Sequence, residues 1–200
     1  MKSAKAVKVK VIAKAKLPSK YGNFIIYAFR KNLDGKEHLA IVKGEVANQE
    51  NVPLRIHSEC LTGDALGSLR CDCGDQLRKS LKHIDKKGKG VVIYLRQEGR
   101  GIGLNNKIKA YALQDKGLDT YDANVKLGFK PDERTYEIAN AIIRVLKIKS
   151  VLLMTNNPEK IKALNESHIR IKKIIKHCGE TNDFNRRYLK TKKTKFKHLL

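Results

Sequence analysis

From Val52 to the end of the chain, short β-prone runs alternate with helix-length amphipathic ones, and that alternation restricts the fold more than any other feature. Val52–Glu59, Val91–Arg96, Val151–Met154 and Ile169–Ile175 read as strands, rich in β-branched and aliphatic residues. Between them, residues 75–84 place Leu77, Leu81 and Ile84 at helical spacing, and a helix over 104–116 is ended by Gly117. The clearest amphipathic helix is expected over Glu133–Ile148, with Ile138, Ala141, Ile142, Val145 and Leu146 on one face. Asn156-Asn157-Pro158 opens a further helix with a cap residue and a proline in the first turn. Ahead of Val52 only strands are expected: Phe24–Arg30 and His38–Lys43, joined across a turn signal in Lys31-Asn-Leu-Asp-Gly35, and an arm alternating as Val7-Lys8-Val9-Lys10-Val11. That alternation has the period of a half-buried strand with a solvated basic face. The expected class is α/β: a mixed sheet with flanking helices and an antiparallel, β-rich N-terminal portion.

A chain of 200 residues suits one domain. Within it, we expect the β-rich part over about 1–50, the chemistry over about 52–160 and a basic tail over about 180–200. The Lys-rich start has no apolar core of signal-peptide length, and the longest apolar runs are strand-sized, so a cytoplasmic protein without a membrane span is expected. Asn165-Glu-Ser167 matches a glycosylation sequon that has no meaning without export. No internal repeat is present.

The net charge of +23 is concentrated at the ends, in Lys2, Lys5, Lys8, Lys10, Lys14 and Lys16 and in Arg186, Arg187, Lys190, Lys192, Lys193, Lys195 and Lys197. Such a balance fits a nucleic-acid footprint, but the tail offers few aromatic rings for base stacking, only Tyr188 and Phe196. Nucleic acid is therefore not the expected partner. The same field attracts a small polyanion such as a nucleotide.

Cys60, Cys71 and Cys73 lie close together, while Cys178 stands alone. In a reducing compartment, clustered thiols point to a metal rather than to disulfides. Two thiolates one residue apart can face the same way from an extended segment, with the third arriving from the preceding strand. Three protein ligands leave the fourth tetrahedral position of Zn²⁺ open, the pattern of a catalytic site. Two alternatives stand beside it: a structural site closed by His57 or Cys178, and plain buried cysteines.

Two loops suit an anionic ligand. Glu98-Gly99-Arg100-Gly101-Ile-Gly103 lies between a strand and a helix start, where glycines let backbone N–H groups approach an anion and Arg100 can clamp a phosphate. It matches neither a Walker A loop nor the dinucleotide fingerprint. Thr155-Asn156-Asn157-Pro158-Glu159-Lys160 follows a strand's C-terminal end, where α/β sheets bind ligands. Read singly, each candidate has a plain alternative: a tight turn for the glycines, a helix N-cap for Asp132, core packing for Tyr111.

In combination they say more. Arg55-Ile-His-Ser-Glu-Cys-Leu-Thr-Gly-Asp64, Ser68-Leu-Arg-Cys-Asp-Cys-Gly74, Arg96-Gln-Glu-Gly-Arg-Gly-Ile-Gly-Leu104, Lys107-Ile-Lys-Ala-Tyr-Ala-Leu-Gln114, Leu127-Gly-Phe129, Asp132-Glu-Arg134 and Thr155-Asn-Asn-Pro158 strongly resemble GTP cyclohydrolase II. The resemblance runs from about Val52 to the C-terminus, and more loosely through the N-terminal strands. It implies conversion of GTP to 2,5-diamino-6-ribosylamino-4(3H)-pyrimidinone 5′-phosphate with release of formate and pyrophosphate, the first committed step of riboflavin biosynthesis. Carried over residue by residue, Cys60, Cys71 and Cys73 would bind one Zn²⁺. Arg55, Ile56, His57, Ser58, Glu59, Gln76, Glu98, Gly99, Arg100, Thr120, Thr155 and Lys160 would contact GTP, whose triphosphate calls for Mg²⁺. Asp132 would be the proton acceptor, Arg134 the residue proposed as nucleophile at the α-phosphorus, and Tyr111 a participant in ring opening. A homodimer is implied, and a chain this short is expected to be monofunctional. Two rivals remain at this level: a partial-reaction paralogue that stops at a formamidopyrimidine, and a non-catalytic zinc module binding nucleic acid.

Overall fold

The computed structural model describes residues 7–31 and 35–199. Lys2, Lys5 and the centre of the predicted turn at residues 32–34 lie outside them. Seven strands form one mixed sheet: β1 (Val9–Ser19), β2 (Gly22–Lys31), β3 (Glu37–Lys43), β4 (Val52–Ser58), β5 (Gly90–Leu95), β6 (Ser150–Met154) and β7 (Arg170–Ile175), in the order β1-β2-β3-β5-β4-β6-β7. The first three strands and β5 pair antiparallel, and β5, β4, β6 and β7 pair parallel. The expected mixed sheet with an antiparallel N-terminal portion is what the chain forms.

The helices are α1 (Leu61–Asp64), α2 (Cys73–Lys86), α3 (Leu104–Asp115), α4 (Thr120–Lys126), α5 (Glu137–Val145), α6 (Pro158–Glu166) and α7 (Arg186–Thr194). Parallel strands need crossovers, and helices cover both faces of the sheet as a result. Leu54 and Ile56 of β4 and Val91, Ile93 and Leu95 of β5 pack with Ile138, Ile142 and Ile143 of α5. Val92 packs on the other face with Leu81 and Ile84 of α2. Because the side-chain period of a strand is 2, Arg55 and His57 cannot share the face of Leu54 and Ile56. Both are buried. From β4 the chain leads to β5 on one side, and from β6 to β7 on the other. The crevice beyond the carboxyl ends of β4 and β6 is therefore the sheet's switch point, where such folds bind ligands.

Three expectations need correcting. The helix expected over Glu133–Ile148 begins only at Glu137, and Asp132 does not cap it. The Asp132 carboxylate instead accepts from the backbone N–H of Arg134 at 3.1 Å, and the Glu133 N–H donates to the Arg100 carbonyl at 3.0 Å, which keeps 132–135 out of the helix. Its far end stops at Val145, before the left-handed Lys147 (φ 54°). Secondly, the arm is a strand but not a half-buried one. Val9 is buried, whereas Val11 and Ile12 are 41% and 56% exposed, because β1 is an edge strand whose register shifts between Val11 and Ala13. A bulge there breaks the period that alternation requires. Thirdly, the strand expected over Ile169–Ile175 does not close the regular part of the chain: the tail carries a helix, α7, whose Thr191 and Lys192 are buried.

Candidate active site

A cleft of about 1050 Å³, counting space open to solvent, lies at this switch point. It has a sulfur end and a cationic end.

At the sulfur end, the ligand atoms of Cys60, Cys71 and Cys73 lie within 4.8 Å of one another. Cys60 precedes α1, and Cys71 and Cys73 flank Asp72 at the start of α2, so the pair faces inward from a helix start rather than from the extended segment expected. Tetrahedral Zn²⁺ with Zn–S bonds of about 2.3 Å holds its sulfurs about 3.8 Å apart. Cys60 Sγ and Cys71 Sγ are 3.7 Å apart, so this pair has the spacing such an ion requires. A Cβ on Gly63 would lie 2.9 Å from Cys71 Sγ and 3.2 Å from Cys60 Sγ, so only glycine lets α1 pass this close. Hydrogen bonds from Cys71 and Cys73 bring the Cys60 thiol far below its ordinary range, and the resulting thiolate holds Cys71 up at about 12 and raises Cys73 as well.

The cradle is braced by groups that sequence reasoning gave other roles or none. Glu98 accepts from the Leu61 N–H at 2.6 Å, the Gly99 N–H at 2.8 Å and Lys107 Nζ at 2.8 Å, so its carboxylate ties the cysteine turn to the glycine loop. Lys107 Nζ also stands 3.2 Å from Cys60 Sγ. Burial alone would lower the pKa of Lys107, but the Cys60 thiolate and Glu98 raise it above the usual lysine value. His57 Nε2 is 3.0 Å from Asp64, whose carboxylate also accepts from the Cys60 N–H and the Tyr94 hydroxyl. Burial depresses the His57 pKa and keeps the ring neutral; with its proton on Nε2, Nδ1 is left with no protein partner. Tyr111 reaches the same end from α3, its hydroxyl 3.2 Å from Thr62 Oγ1 and its pKa raised by burial.

The cationic end gathers Arg55, Arg100, Arg134 and Lys160. Arg55 donates to the Met154 carbonyl at 2.8 Å and to Gln76, which in turn donates to Asp72 at 2.6 Å. Desolvation brings Arg55 down to about 10, which leaves it charged at neutral pH. Lys160 Nζ donates to the Ile56 carbonyl at 2.8 Å. Burial, followed by the Arg55 and Arg134 charges, pushes Lys160 well below the usual lysine range. Arg134 grips Asp132 through two bonds, Nε–Oδ1 at 2.8 Å and Nη2–Oδ2 at 2.5 Å. Although burial opposes it, Tyr136 and Asp132 hold the Arg134 guanidinium above its ordinary pKa, and Arg134 holds Asp132 below its own.

Arg100 is backbone-strained, with φ of 60° in a turn over Glu98–Gly101. Its Nη1 donates to Thr120 Oγ1 at 2.8 Å. Ser58, Gly99 and Thr155 line the same cleft, and Glu59 does so while paired with Arg96 at 2.9 Å. Two candidates are not brought to the cleft by their side chains. Ile56 is buried in the core and offers only its carbonyl, and Asp132 stands behind Arg134.

The tail supplies Tyr188, Lys192 and His198 to the lining, and His177 joins them. Lys192 Nζ reaches Asp72 at 2.7 Å in a pair that is 9% and 0% exposed. The only sequence trace of this was Tyr188, Thr191, Lys192 and Lys195 at helical spacing within a run that reads as solvated charge. Cys178 is exposed, with Asn156 Nδ2 2.9 Å from its sulfur.

The sequence model of the GTP cyclohydrolase II family matches residues 9–176. Curated proteins named GTP cyclohydrolase-2 align over nearly the whole chain. The Campylobacter hominis protein is 58% identical over 93% of this chain and 93% of its own length. The Picrophilus torridus protein is 52% identical over 96% and 99%, and that of Proteus mirabilis 50% over 97% and 98%. Among solved structures, the two-domain 3,4-dihydroxy-2-butanone 4-phosphate synthase RibBX of A. baumannii superposes with a TM-score of 0.52 at 18% identity. That match covers 84% of this chain and 40% of the other, and it speaks to the fold alone.

Proposed function

Because the chain belongs to the GTP cyclohydrolase II family, we propose that this cleft converts GTP to 2,5-diamino-6-ribosylamino-4(3H)-pyrimidinone 5′-phosphate, releasing formate and pyrophosphate for riboflavin biosynthesis. The observation that carries the reading is one cleft lined at one end by three convergent thiols and at the other by Arg55, Arg100, Arg134 and Lys160. An ion held by Cys60, Cys71 and Cys73, proposed to be Zn²⁺, supplies when bound the Lewis acidity that makes a water nucleophilic near neutral pH.

The chain's own residues divide the remaining work. Tyr111 stays protonated because burial raises its pKa, so its hydroxyl is a donor to charge developing where the imidazole ring opens. At the other end, Arg55, Arg100 and Lys160 gather the triphosphate, with Mg²⁺ as its proposed counter-ion. Burial and then its cationic neighbours lower the Lys160 pKa, and a bound polyanion offsets both by favouring the charged ammonium.

Arg134 orients and neutralises the reacting phosphate. The Asp132 pair stabilises its charged form, so the electrostatic role needs no deprotonation of a group that a nucleophilic role would require to be neutral. Asp132 acts through Arg134 and takes up a proton only as that pair opens.

One domain over residues 1–200, a homodimer and a cytoplasmic location belong to the same proposal. No helix among the described residues is long and apolar enough to cross a membrane. Exposed apolar side chains such as Ile12, Leu66 and Leu69 offer surface for a second copy to cover. Incubating zinc-loaded protein with GTP and Mg²⁺ while following formate, pyrophosphate and the pyrimidine together tests the reaction. All three are expected in step; pyrophosphate without formate, or no turnover, overturns the reading.

A further inference from the structure

Basic residues at a chain end are ordinarily a solvated face, but here the end of the chain is docked. Asn182 and Asn185 exchange side-chain-to-backbone hydrogen bonds of 2.9 Å ahead of α7, and Asn185 is fully buried. Lys195 Nζ lies 2.7 Å from both Asp119 and Asp122, at the start of α4. Arg187 donates to the Gly117 carbonyl, and the Leu199 N–H donates to the Asn156 carbonyl at 2.9 Å. Lys192 completes the docking through Asp72. Tyr188, Thr191 and Lys192 recur at helical spacing on the docked side of α7, while Lys190 and Lys193 remain exposed.

This docking places two rings on Arg100. Its guanidinium carbon stands 4.2 Å from the centroid of Phe196 and 5.5 Å from that of Tyr188. Together with the bond to Thr120, the rings hold the guanidinium at the cleft lining. Arginine over an aromatic face within about 6 Å is held electrostatically, more strongly where water is excluded. His198 adds an imidazole close to the same cations: burial, then Lys192, Arg134, Lys160 and Arg100, bring its pKa down to about 3. Arg134 and Lys192 have carboxylate partners in Asp132 and Asp72, while Arg55, Arg100 and Lys160 bond neutral oxygens, and this excess of cations describes a receptor for a multiply charged anion.

We infer that the segment from Asn185 to Leu199 is a working wall of the polyphosphate end of the cleft, in which Phe196 and Tyr188 are positioning residues for Arg100. The inference rests on the GTP reading above, and inorganic tripolyphosphate and guanosine as separate probes make the two separable. Wild-type turnover of GTP tests the reading, whereas calorimetric binding of each probe to the full-length, metal-loaded protein tests the wall.

Replacing Phe196→Ala should weaken tripolyphosphate binding about tenfold, the scale of a desolvated cation–π contact. It should leave guanosine binding within about twofold and raise KM for GTP more than it changes kcat. Phe196→Tyr should restore both tripolyphosphate binding and KM. Lys195→Met, which loosens α7 from α4 without touching the core, should weaken tripolyphosphate about threefold and guards against a misfolded Phe196→Ala. Tripolyphosphate bound as tightly by both variants as by wild type, or guanosine lost in equal measure, overturns the inference.

Discussion

The two ends of the cleft are built by opposite rules. The sulfur end comes from one short stretch of chain, Cys60 to Cys73, and its convergent thiols suit a cation. The cationic end is assembled from Arg55, Arg100, Arg134, Lys160 and Lys192, which come from five separate segments, and its charges suit an anion. A thiol cluster needs local turn geometry: Gly63 against two sulfurs, Asp64 tying α1 to His57, Glu98 bracing the loop. A cation cluster needs the carboxyl ends of a sheet's strands, because like charges come together only when strand ends and helix starts are fixed independently of them. Local construction teaches its presence directly; distributed construction is visible only after folding.

The two ends should fail differently when broken. The largest effect is expected of Cys60→Ser, which leaves two thiols where three converge. Metal content should fall below about one tenth per chain and formate release by at least about a thousandfold. Formate production by a metal-free Cys60→Ser protein at the wild-type rate would remove the metal from the reaction. At the other end, Arg134→Ala frees Asp132 as an unpaired carboxylate beside the cleft. Pyrophosphate release should fall about 10²–10³-fold, as for loss of one preorganised electrostatic donor. Metal content should stay intact, and an undiminished pyrophosphate rate would exclude Arg134 from the mechanism.

That contrast in construction explains what could be read in the sequence. Three cysteines within fourteen residues announced themselves, and so did the strand–helix alternation that produced the mixed sheet. Of the cationic end, only the Glu98–Gly103 loop and the segment from Thr155 to Lys160 carried a physical signal, and neither was specific alone. Arg55 on its strand and Arg134 in its loop were found through resemblance. The helix in the tail was not anticipated, for a physical reason. A Lys-rich helix looks the same whether its lysines meet water or meet Asp72, Asp119 and Asp122, and those acids lie at least 70 residues away. The start of α5 was misplaced for a related one. Asp132-Glu-Arg is a good helix opening until its carboxylate is claimed by Arg134.

A smaller effect is expected of Gly63→Ala, which sharpens the comparison by touching the sulfur end without removing a thiol. The added methyl would meet Cys71 Sγ and the Cβ of Cys73, atoms fixed at the start of α2. Shifting them should cost about 1–3 kcal/mol of stability. Metal affinity, measured by chelator competition, should weaken about tenfold or more. Pyrophosphate release measured at saturating metal should change far less than affinity. A variant with wild-type metal affinity would show that the cradle yields where the geometry says it is tight.

An effect of similar size belongs to the cationic end and to stability against pH. His177 is buried with Nε2 2.7 Å from the Gln76 carbonyl and 2.9 Å from Ser80 Oγ. Burial, then the charge of Arg55, lowers its pKa from 6.5 to about 4. The folded ring therefore gains its proton only near pH 4, whereas the unfolded chain gains it near 6.5. Between those values the unfolded state binds more protons, so stability must fall as pH falls, and the loss is complete below about 4. From pH 7 to pH 5 the cost is about 2 kcal/mol at 1.4 kcal/mol per unit below 6.5, before His57 and His198, lowered in the same direction, add theirs. Urea unfolding at the two pH values reads it, and His177→Gln, which keeps a donor for Gln76, should flatten part of the slope. A wild-type protein equally stable at pH 5 and pH 7 would mean that these rings are hydrated, and that the cationic end is less closed than its geometry indicates.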